Sequence, residues 1–269
     1  MSVRLIATDL DGTLLLGDKN ISPVNRRALS LCHDRGIRVA FASGRSFQSA
    51  RLLARLLDFP VALLGLNGCR ADETAFGPTL FEETHRRENA IALWERLKAT
   101  GAYFICYCAD SVYMGNPQST EGHDVTPGPR GEAGFLQIYT PDEDEFYRDG
   151  CVKANKFVLF SRDGEKRDAA RLAAQGLDVN VFSSWWDNVE IVPGGVSKGR
   201  GLARLAAHFG VDMGDVMAFG DYDNDESMLS AAGHPVAMAS GSDAVKKPGR
   251  PLADSVGEYI LSQMEAGKI

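Results

Sequence analysis

Two carboxylates, Asp9 and Asp11, follow a β-prone apolar stretch at residues 3–8 and precede Gly12 and Thr13. In an open parallel sheet, the carboxyl ends of the strands face the crevice where ligands bind. Two acidic side chains at such an end repel each other unless a cation or a reacting group uses them. Carboxylates bind hard cations such as Mg²⁺ and can also take up a phosphoryl group. An ordinary strand-to-turn junction would look similar, because Asp and Gly are common turn residues.

The pattern of an apolar stretch with a polar end recurs three times along the chain. The stretches and their ends are 37–42 with Ser43, Gly44 and Arg45, 60–66 with Asn67, and 215–219 with Asp221, Asn224 and Asp225. Nearly continuous apolar runs predict strands buried on both faces, as in parallel sheets covered by helices. A right-handed crossover between the first two strands would place Asp9 and Ser43 at the same edge of the sheet.

Two helices are predicted to connect these strands. The first begins at Ser22, which can cap it, and ends at Gly36. Its predicted apolar stripe consists of Val24, Ala28 and Leu31. The second covers roughly 197–209 and leads into the strand that ends at Asp221. The helices and strands together bring several polar strand ends to one crevice.

Taken in order, these residues resemble the four motifs of the haloacid dehalogenase superfamily. The matching segments are Asp9-Leu10-Asp11-Gly12-Thr13, Ser43-Gly44-Arg45, Lys198 and Gly220-Asp221-x-x-Asn224-Asp225. Their order and spacing are similar to those of Cof-type phosphatases, which carry a large cap domain between the second and third motifs. The resemblance covers roughly residues 3–70 and 188–240. It implies an α/β fold, with a Rossmann-like parallel-sheet core, helices on both faces and an inserted α+β cap domain.

The residues and the resemblance together indicate Mg²⁺-dependent hydrolysis of phosphate monoesters. Asp9 is the candidate nucleophile that forms an aspartyl phosphate, and Asp11 can protonate the leaving oxygen and later deprotonate water. Lys198 would neutralise charge that Asp9 shares with the phosphate. The resemblance implies that Mg²⁺ is bound by the Asp9 carboxylate, the Asp11 backbone carbonyl and the Asp221 carboxylate. Asp225 would bind the ion directly or support its ligands.

Further polar residues are candidates for contact with the substrate. Ser43 and Asn224 are predicted to hold phosphoryl oxygens or to orient neighbouring groups, Ser43 as part of the catalytic set. The remaining candidates for substrate binding are Gly12, Thr13, Gly44, Arg45 and Asn67. Simpler interpretations exist: Ser43-Gly44 could be a plain turn, and Lys198 a solvated surface lysine. Arg45 could bind phosphate or brace an acidic neighbour.

The middle of the chain, residues 83–188, is predicted to form the cap, and residues 1–82 with 189–269 the core. Glu82 and Glu83 are expected to begin a helix whose apolar stripe is Ile91, Trp94 and Leu97. Residues 115–134, rich in Gly and Pro and containing His123 and Arg130, are predicted to form a long loop. Such a loop is either functional, here a mobile rim of the site, or disordered.

The end of the chain departs from the Cof-type pattern. Those chains usually follow the last strand with an Ala-Met-Gly-Asn-Ala-like turn, but here Val236-Ala237-Met238 continues as Ala239-Ser240-Gly241-Ser242. The segment Lys246–Pro251 is also unusually basic and rich in proline. The catalytic positions are unaffected, but such a turn can line the crevice, so the departure bears on the choice of substrate.

Composition excludes several other classes of protein. A net charge of −7 argues against general binding of nucleic acid, and no apolar stretch approaches the ~20 residues that span a bilayer. Five cysteines in no zinc or disulfide spacing indicate a reducing cytoplasm, and Cys106 and Cys108 are expected in a core. The expected partner is a small phosphorylated metabolite, such as a sugar phosphate, and nothing in the sequence fixes the oligomeric state. Alternatives are a phosphotransferase or phosphomutase that uses the same aspartyl phosphate, and a catalytically silent phosphometabolite-binding protein.

Overall fold

The computed structural model describes residues 3–15, 20–108, 111–120, 138–140 (backbone only) and 143–269. The chain divides into two compact units, Met1–Glu82 with Ser197–Ile269 and Glu83–Val196. We call the first the core unit and the second the inserted unit. In the described part of the chain, no helix is both long and apolar enough to cross a membrane.

The core unit is built on an eight-stranded sheet in the order β14-β13-β12-β1-β2-β3-β4-β5. Its strands are β1 (Leu5–Thr8), β2 (Arg38–Ala42), β3 (Ala62–Gly65), β4 (Arg70–Asp72), β5 (Thr79–Glu82), β12 (Val216–Gly220), β13 (His234–Met238) and β14 (Leu252–Ala253). Its helices are α1 (Pro23–Asp34), α2 (Phe47–Ala54), α6 (Lys198–His208), α7 (Glu226–Ala231) and α8 (Val256–Glu265). The strands from β14 to β3 are parallel, and β4 and β5 extend the sheet as antiparallel strands.

Helices cover both faces of this sheet. Along β1, Ile6 packs into one apolar cluster with residues of α1, α2 and α8, whereas Leu5 and Ala7 pack into a second cluster with residues of α6 and α7. Successive side chains of a strand point to opposite faces, so a strand buried on both faces is apolar throughout. The predicted α/β fold with a doubly covered parallel sheet is therefore confirmed.

The inserted unit contains a six-stranded sheet in the order β10-β11-β9-β6-β7-β8. Its strands are β6 (Tyr103–Cys108), β7 (Ser111–Gly115), β8 (Ile138–Thr140), β9 (Ala154–Phe160), β10 (Val179–Phe182) and β11 (Asn188–Pro193), and its helices α3 (Arg87–Ala99), α4 (Glu143–Arg148) and α5 (Gly164–Ala173). The pairs are antiparallel except β7 with β8. Cys106 and Cys108 lie in its apolar core with Trp94 and Phe157, as expected.

Three details of the sequence interpretation differ from the structure. Glu82 ends β5, where it pairs with Arg70, so the helix expected to begin at Glu82 begins at Arg87 instead. The chain returns to the core unit after Val196 rather than after residue 188, because β11 is paired on both sides within the second sheet. Of the long loop predicted at 115–134, residues 121–134 lie outside the described part of the chain, His123 and Arg130 included.

Helix α1 shows a further difference, in the residues that face the core. Ser22 caps the helix and Pro23 occupies its first turn, as predicted, but the buried positions are Asn25, Ala28, Leu29 and Cys32. The Asn25 amide donates to the Leu14 carbonyl at 2.8 Å and accepts from the Gly257 N–H at 2.7 Å. A buried polar residue thus takes the place that an apolar stripe would assign to Val24, because it joins three separate segments.

We expect Asn25→Ala to lower the free energy of unfolding by about 2–4 kcal/mol, because buried main-chain groups would lose their hydrogen-bond partners. Val24→Ala, on the half-buried neighbour, should cost about 1 kcal/mol or less. Urea denaturation of both variants measures the difference. Equal losses for the two variants would contradict the assignment of Asn25 to the core.

Candidate active site

The polar residues that end the core strands lie together at the carboxyl edge of the sheet. In register, Thr8 of β1 pairs with Phe41 of β2 and Phe219 of β12. Asp9, Ser43 and Asp221 are the residues that directly follow these three strands. Parallel alignment of three strands therefore brings to one edge residues that are far apart in the sequence.

Lys198 lies at the centre of this edge. It is the first residue of α6, where the Ser197 side chain accepts a hydrogen bond from the Arg200 N–H and caps the helix. The Lys198 ammonium donates to Asp9 Oδ1 at 2.7 Å and to Asp225 Oδ1 at 2.5 Å. All three side chains are almost completely buried. A cation in the first turn opposes the helix dipole, and these two carboxylates offset that cost. The surface-lysine interpretation is excluded.

The carboxylates at this edge carry more negative charge than one lysine neutralises. Burial raises the pKa of Asp9 well above its ordinary value, Lys198 opposes the rise, and Asp225 and Asp221 add to it. Burial together with Asp225 raises the pKa of Asp221 to about 6. For Lys198, burial lowers the pKa, but Asp225 and Asp9 outweigh burial and hold it above the ordinary value. Further positive charge would therefore stabilise the ionised cluster.

Asp225 organises the loop between β12 and α7. Its Oδ2 accepts hydrogen bonds from the N–H groups of Asp221 at 3.0 Å and Tyr222 at 3.2 Å, while Oδ1 is bound to Lys198. Both oxygens of Asp225 are thus in use. This geometry suits a residue that holds Asp221 and Lys198 in place more than one that binds an ion directly.

Gly12 and Thr13 both act on Asp221. Thr13 is buried and its hydroxyl donates to Asp221 Oδ1 at 2.8 Å. Gly12 has a φ of +78°, and a Cβ at this position would overlap Oδ2 of Asp221. Gly12 and Thr13 were predicted to contact the substrate. In the structure, both residues position the Asp221 carboxylate, which gives a structural reason for Gly and Thr to follow Asp11.

Asp11 and Arg45 form an ion pair beside the buried cluster. The Arg45 guanidinium donates through Nε and a terminal nitrogen to the two oxygens of Asp11, at 2.6 and 2.5 Å. A second terminal nitrogen donates to the Ser49 hydroxyl at 3.1 Å, which ties the guanidinium to α2. The Asp11 side chain is 56% exposed, unlike Asp9. Of the two interpretations of Arg45, the structure supports the bracing of an acidic neighbour.

The other predicted polar residues form a connected set at the same edge. The Asn224 amide donates to Asn67 Oδ1 at 3.2 Å, and the Asn67 N–H donates to the Ser43 carbonyl at 3.2 Å. The Ser43 hydroxyl accepts from the Arg45 N–H at 3.1 Å, across Gly44. Asn67 has a φ of +59°, a backbone conformation that Asn tolerates better than most residues.

Sequence reasoning assigned no role to Ser242, which the structure brings to the loop between β12 and α7. Its N–H donates to the Asp221 carbonyl at 2.8 Å, and its hydroxyl donates to Asp223 Oδ1 at 3.1 Å. The available signal was the turn at 239–242, where the sequence departs from the Cof-type pattern. An unusual turn after β13 thus supports the loop that follows β12.

The carboxylates of Asp9, Asp221 and Asp225 lie close enough to form a candidate metal centre, in which Asp225 supports the other two. Each offers a carboxylate oxygen, and the three oxygens lie within 4.8 Å of one another. With Lys198 as the neighbouring cation, the cluster retains an excess of negative charge. Carboxylate oxygens and excess negative charge suit a hard divalent cation.

Comparison with known proteins identifies the class. The family model of haloacid dehalogenase-like hydrolases matches residues 6–256. A 5-amino-6-(5-phospho-D-ribitylamino)uracil phosphatase of Bacillus subtilis is 28% identical, with 99% of each chain covered. A pyridoxal phosphate phosphatase of Escherichia coli is 28% identical over 98% of this chain and 100% of its own. The structure of a haloacid dehalogenase-like hydrolase from B. subtilis has the same fold, with a TM-score of 0.81, 23% identity, and coverage of 99% of this chain and 100% of its own.

The chain therefore belongs to the haloacid dehalogenase-like hydrolases. The family model spans all four segments that carry the resemblance, from Asp9 to Asp225. The relatives named above are phosphatases of small phosphorylated metabolites.

We expect Gly12→Ala to be more destabilising than Gly36→Ala. Both positions have a φ close to +78°, so each alanine costs about 1–2 kcal/mol of backbone strain. Only at Gly12 does the new methyl displace a carboxylate, that of Asp221, and this should cost at least about 2 kcal/mol more. Urea denaturation of the two variants measures the difference, and equal stabilities would contradict the tight approach of Asp221 to Gly12.

Proposed function

We propose that this protein is a Mg²⁺-dependent phosphohydrolase that cleaves phosphate monoesters of small metabolites through an aspartyl phosphate on Asp9. The observation that carries this proposal is the buried contact of Lys198 with Asp9, beside two further carboxylates. The excess of carboxylates over Lys198 in this cluster suits a dication, and Lys198 offers positive charge to a phosphoryl group on Asp9.

The donor set fits Mg²⁺. The carboxylates of Asp9 and Asp221 and the backbone carbonyl of Asp11 would hold the ion, with Asp225 supporting Asp221 from behind. The raised pKa of Asp221, to about 6, marks a carboxylate that needs another positive charge nearby. When bound, Mg²⁺ lowers the repulsion between an anionic nucleophile and an anionic phosphate and aligns them.

In the first half of the reaction, a carboxylate oxygen of Asp9 attacks phosphorus. The bond between phosphorus and the ester oxygen breaks as the new bond to Asp9 forms. Asp11, as the carboxylic acid, gives its proton to the departing oxygen, so that an alcohol leaves. Lys198 holds the reacting carboxylate in place and balances charge gathered on the phosphoryl oxygens.

In the second half, water attacks the phosphorus of the aspartyl phosphate. Asp11, now a carboxylate, takes the proton of this water, and Asp9 leaves as a free carboxylate with release of inorganic phosphate. Arg45 holds both oxygens of Asp11 in the structure. In our proposal Arg45 orients Asp11 through both oxygens while Asp11 is a carboxylate, and through one oxygen while Asp11 carries the proton. Ser43 and Asn224 orient the phosphoryl group with support from Asn67 and Gly44.

The inserted unit is proposed to act as a cap that excludes water and selects the substrate. Its described strands are paired antiparallel except β7 with β8, so their carboxyl ends do not meet at one edge as those of the core sheet do, which supports a role in selection rather than in chemistry. The named relatives act on pyridoxal phosphate and on a phosphorylated ribitylaminouracil. We therefore propose a small phosphate monoester with an organic ring or a sugar-like chain as the substrate class.

Release of inorganic phosphate from a panel of phosphorylated metabolites tests the proposal. We expect turnover with Mg²⁺, loss of turnover with EDTA and recovery when Mg²⁺ is restored. Asp9→Asn should fold normally and lose at least about 10³-fold in kcat, because an amide is a poor nucleophile. Near-normal activity of Asp9→Asn would exclude the covalent mechanism. Turnover only with an added hydroxyl acceptor would indicate a phosphotransferase instead.

The role of Asp11 predicts a dependence on the leaving group. Asp11→Asn should slow formation of the aspartyl phosphate by about 10²–10³-fold with an alkyl phosphate, whose leaving alcohol needs a proton. With p-nitrophenyl phosphate, whose leaving group departs as an anion, the loss in this step should be much smaller. Rapid-quench measurement of the first turnover isolates this step, and equal losses for the two substrates would contradict general acid catalysis by Asp11.

A further inference from the structure

The basic segment Lys246–Pro251 belongs to a loop between β13 and β14. Main-chain hydrogen bonds fix both ends of this loop in the sheet: the Ala237 N–H donates to the Pro251 carbonyl at 3.0 Å, and the Ala239 N–H to the Ala253 carbonyl at 2.8 Å. Two prolines restrict the backbone of the basic segment further. The backbone of the loop is therefore restrained, and its side chains project from fixed positions.

Two cations of this loop converge on Glu226. Lys247 forms an ion pair with Glu226, and one terminal nitrogen of Arg250 donates to Glu226 Oε2 at 2.7 Å. The Arg250 side chain is only 7% exposed, and the same terminal nitrogen also donates to the Val245 carbonyl at 2.6 Å. A hydrogen-bonded, partly buried ion pair of this kind constrains geometry more than an exposed pair does.

Glu226 directly follows Asp225, the residue that organises the acidic loop, which we define as residues 221–225. Asp225 accepts from the Asp221 N–H, and Ser242 of the β13–β14 loop donates to the Asp221 carbonyl at 2.8 Å. The acidic loop is thus supported at its start by Ser242 and at its end by the contacts of Glu226. Both supports come from the part of the chain that departs from the Cof-type pattern.

We propose that Lys247 and Arg250 are positioning residues for the cation site. By anchoring Glu226, they hold the acidic loop in the shape in which Asp221 can bind a divalent cation. The inference rests on the proposed function, because this cation is the Mg²⁺ of that function.

Positioning and simple electrostatics predict opposite effects when Arg250 is replaced. Removal of a positive charge near an acidic cluster should strengthen cation binding by Coulomb attraction alone. Loss of an anchor should weaken it, because the residues that support metal ligands typically contribute about tenfold or more to affinity. The sign of the change therefore separates the two effects.

The test is calorimetric titration of the full chain with Mg²⁺ alone, for the wild type, Arg250→Met and the control Lys246→Met. Lys246 lies in the same segment and makes no ion pair or side-chain hydrogen bond with the described residues. We expect Arg250→Met to bind Mg²⁺ about tenfold more weakly. The control removes the same charge and should bind as the wild type does or slightly more tightly.

Mg²⁺ binding by Arg250→Met that equals or exceeds that of the wild type would overturn the inference and leave the proposed function intact. A wild-type protein that does not bind Mg²⁺ would overturn both. If Arg250→Met does not fold, Arg250→Lys keeps the charge but loses the forked geometry of the guanidinium. It should still bind more weakly than the control, and unchanged binding by this variant would equally overturn the inference.

Discussion

Excess negative charge, held in a buried position at the carboxyl edge of the core sheet, is the constraint on which the rest of the site depends. One carboxylate oxygen from each of Asp9, Asp221 and Asp225 lies within 4.8 Å of the other two. Lys198 donates to two of these residues, Asp9 and Asp225. Burial of unpaired carboxylates is costly, so the fold must supply hydrogen bonds and positive charge from every side. The main-chain donors to Asp225, the hydroxyl of Thr13 and the ammonium of Lys198 each meet part of this demand. These contacts do not neutralise all of the negative charge, and a dication would supply the remaining positive charge.

That electrostatic demand explains several features that otherwise look like separate motifs. Gly12 must lack a side chain because the Asp221 carboxylate occupies that space. The first residue of α6 must be a cation, although the helix dipole disfavours one there. Arg45 draws the Asp11 carboxylate into an ion pair beside the cluster and so keeps an additional negative charge separately compensated. The motifs are therefore parts of one electrostatic arrangement, and their spacing follows from it.

Much of this arrangement could be predicted from the sequence. The grouping of Asp9, Ser43 and Asp221 was predictable because buried parallel strands appear in the sequence as apolar runs, and the carboxyl ends of such strands lie at the same edge of the sheet. The actual role of Thr13, a bond to Asp221, was not predictable, because the two residues are 208 positions apart and no local pattern reports their contact. The burial of Asn25 was missed for a related reason. Hydrophobic periodicity assigns only apolar residues to the core, so it does not detect a buried amide that joins distant segments. The return to the core after Val196 was misplaced because the pairing of β11 depends on strands that come earlier in the chain.

Contacts between distant segments also link the chemistry to the stability of the fold. Lys198 and Asp9 are 189 positions apart, so the buried cluster can form only when α6 has docked against the completed sheet. Burial and neighbouring carboxylates raise the pKa values of Asp9 and Asp221, which indicates that their ionised forms are electrostatically unfavourable in this cluster. A cation that binds only the folded state repays that cost and stabilises the protein by mass action. The apolar layers on the two faces of the sheet must therefore be stable enough to hold this cluster together by themselves. Function at this edge depends on stability supplied elsewhere in the core unit.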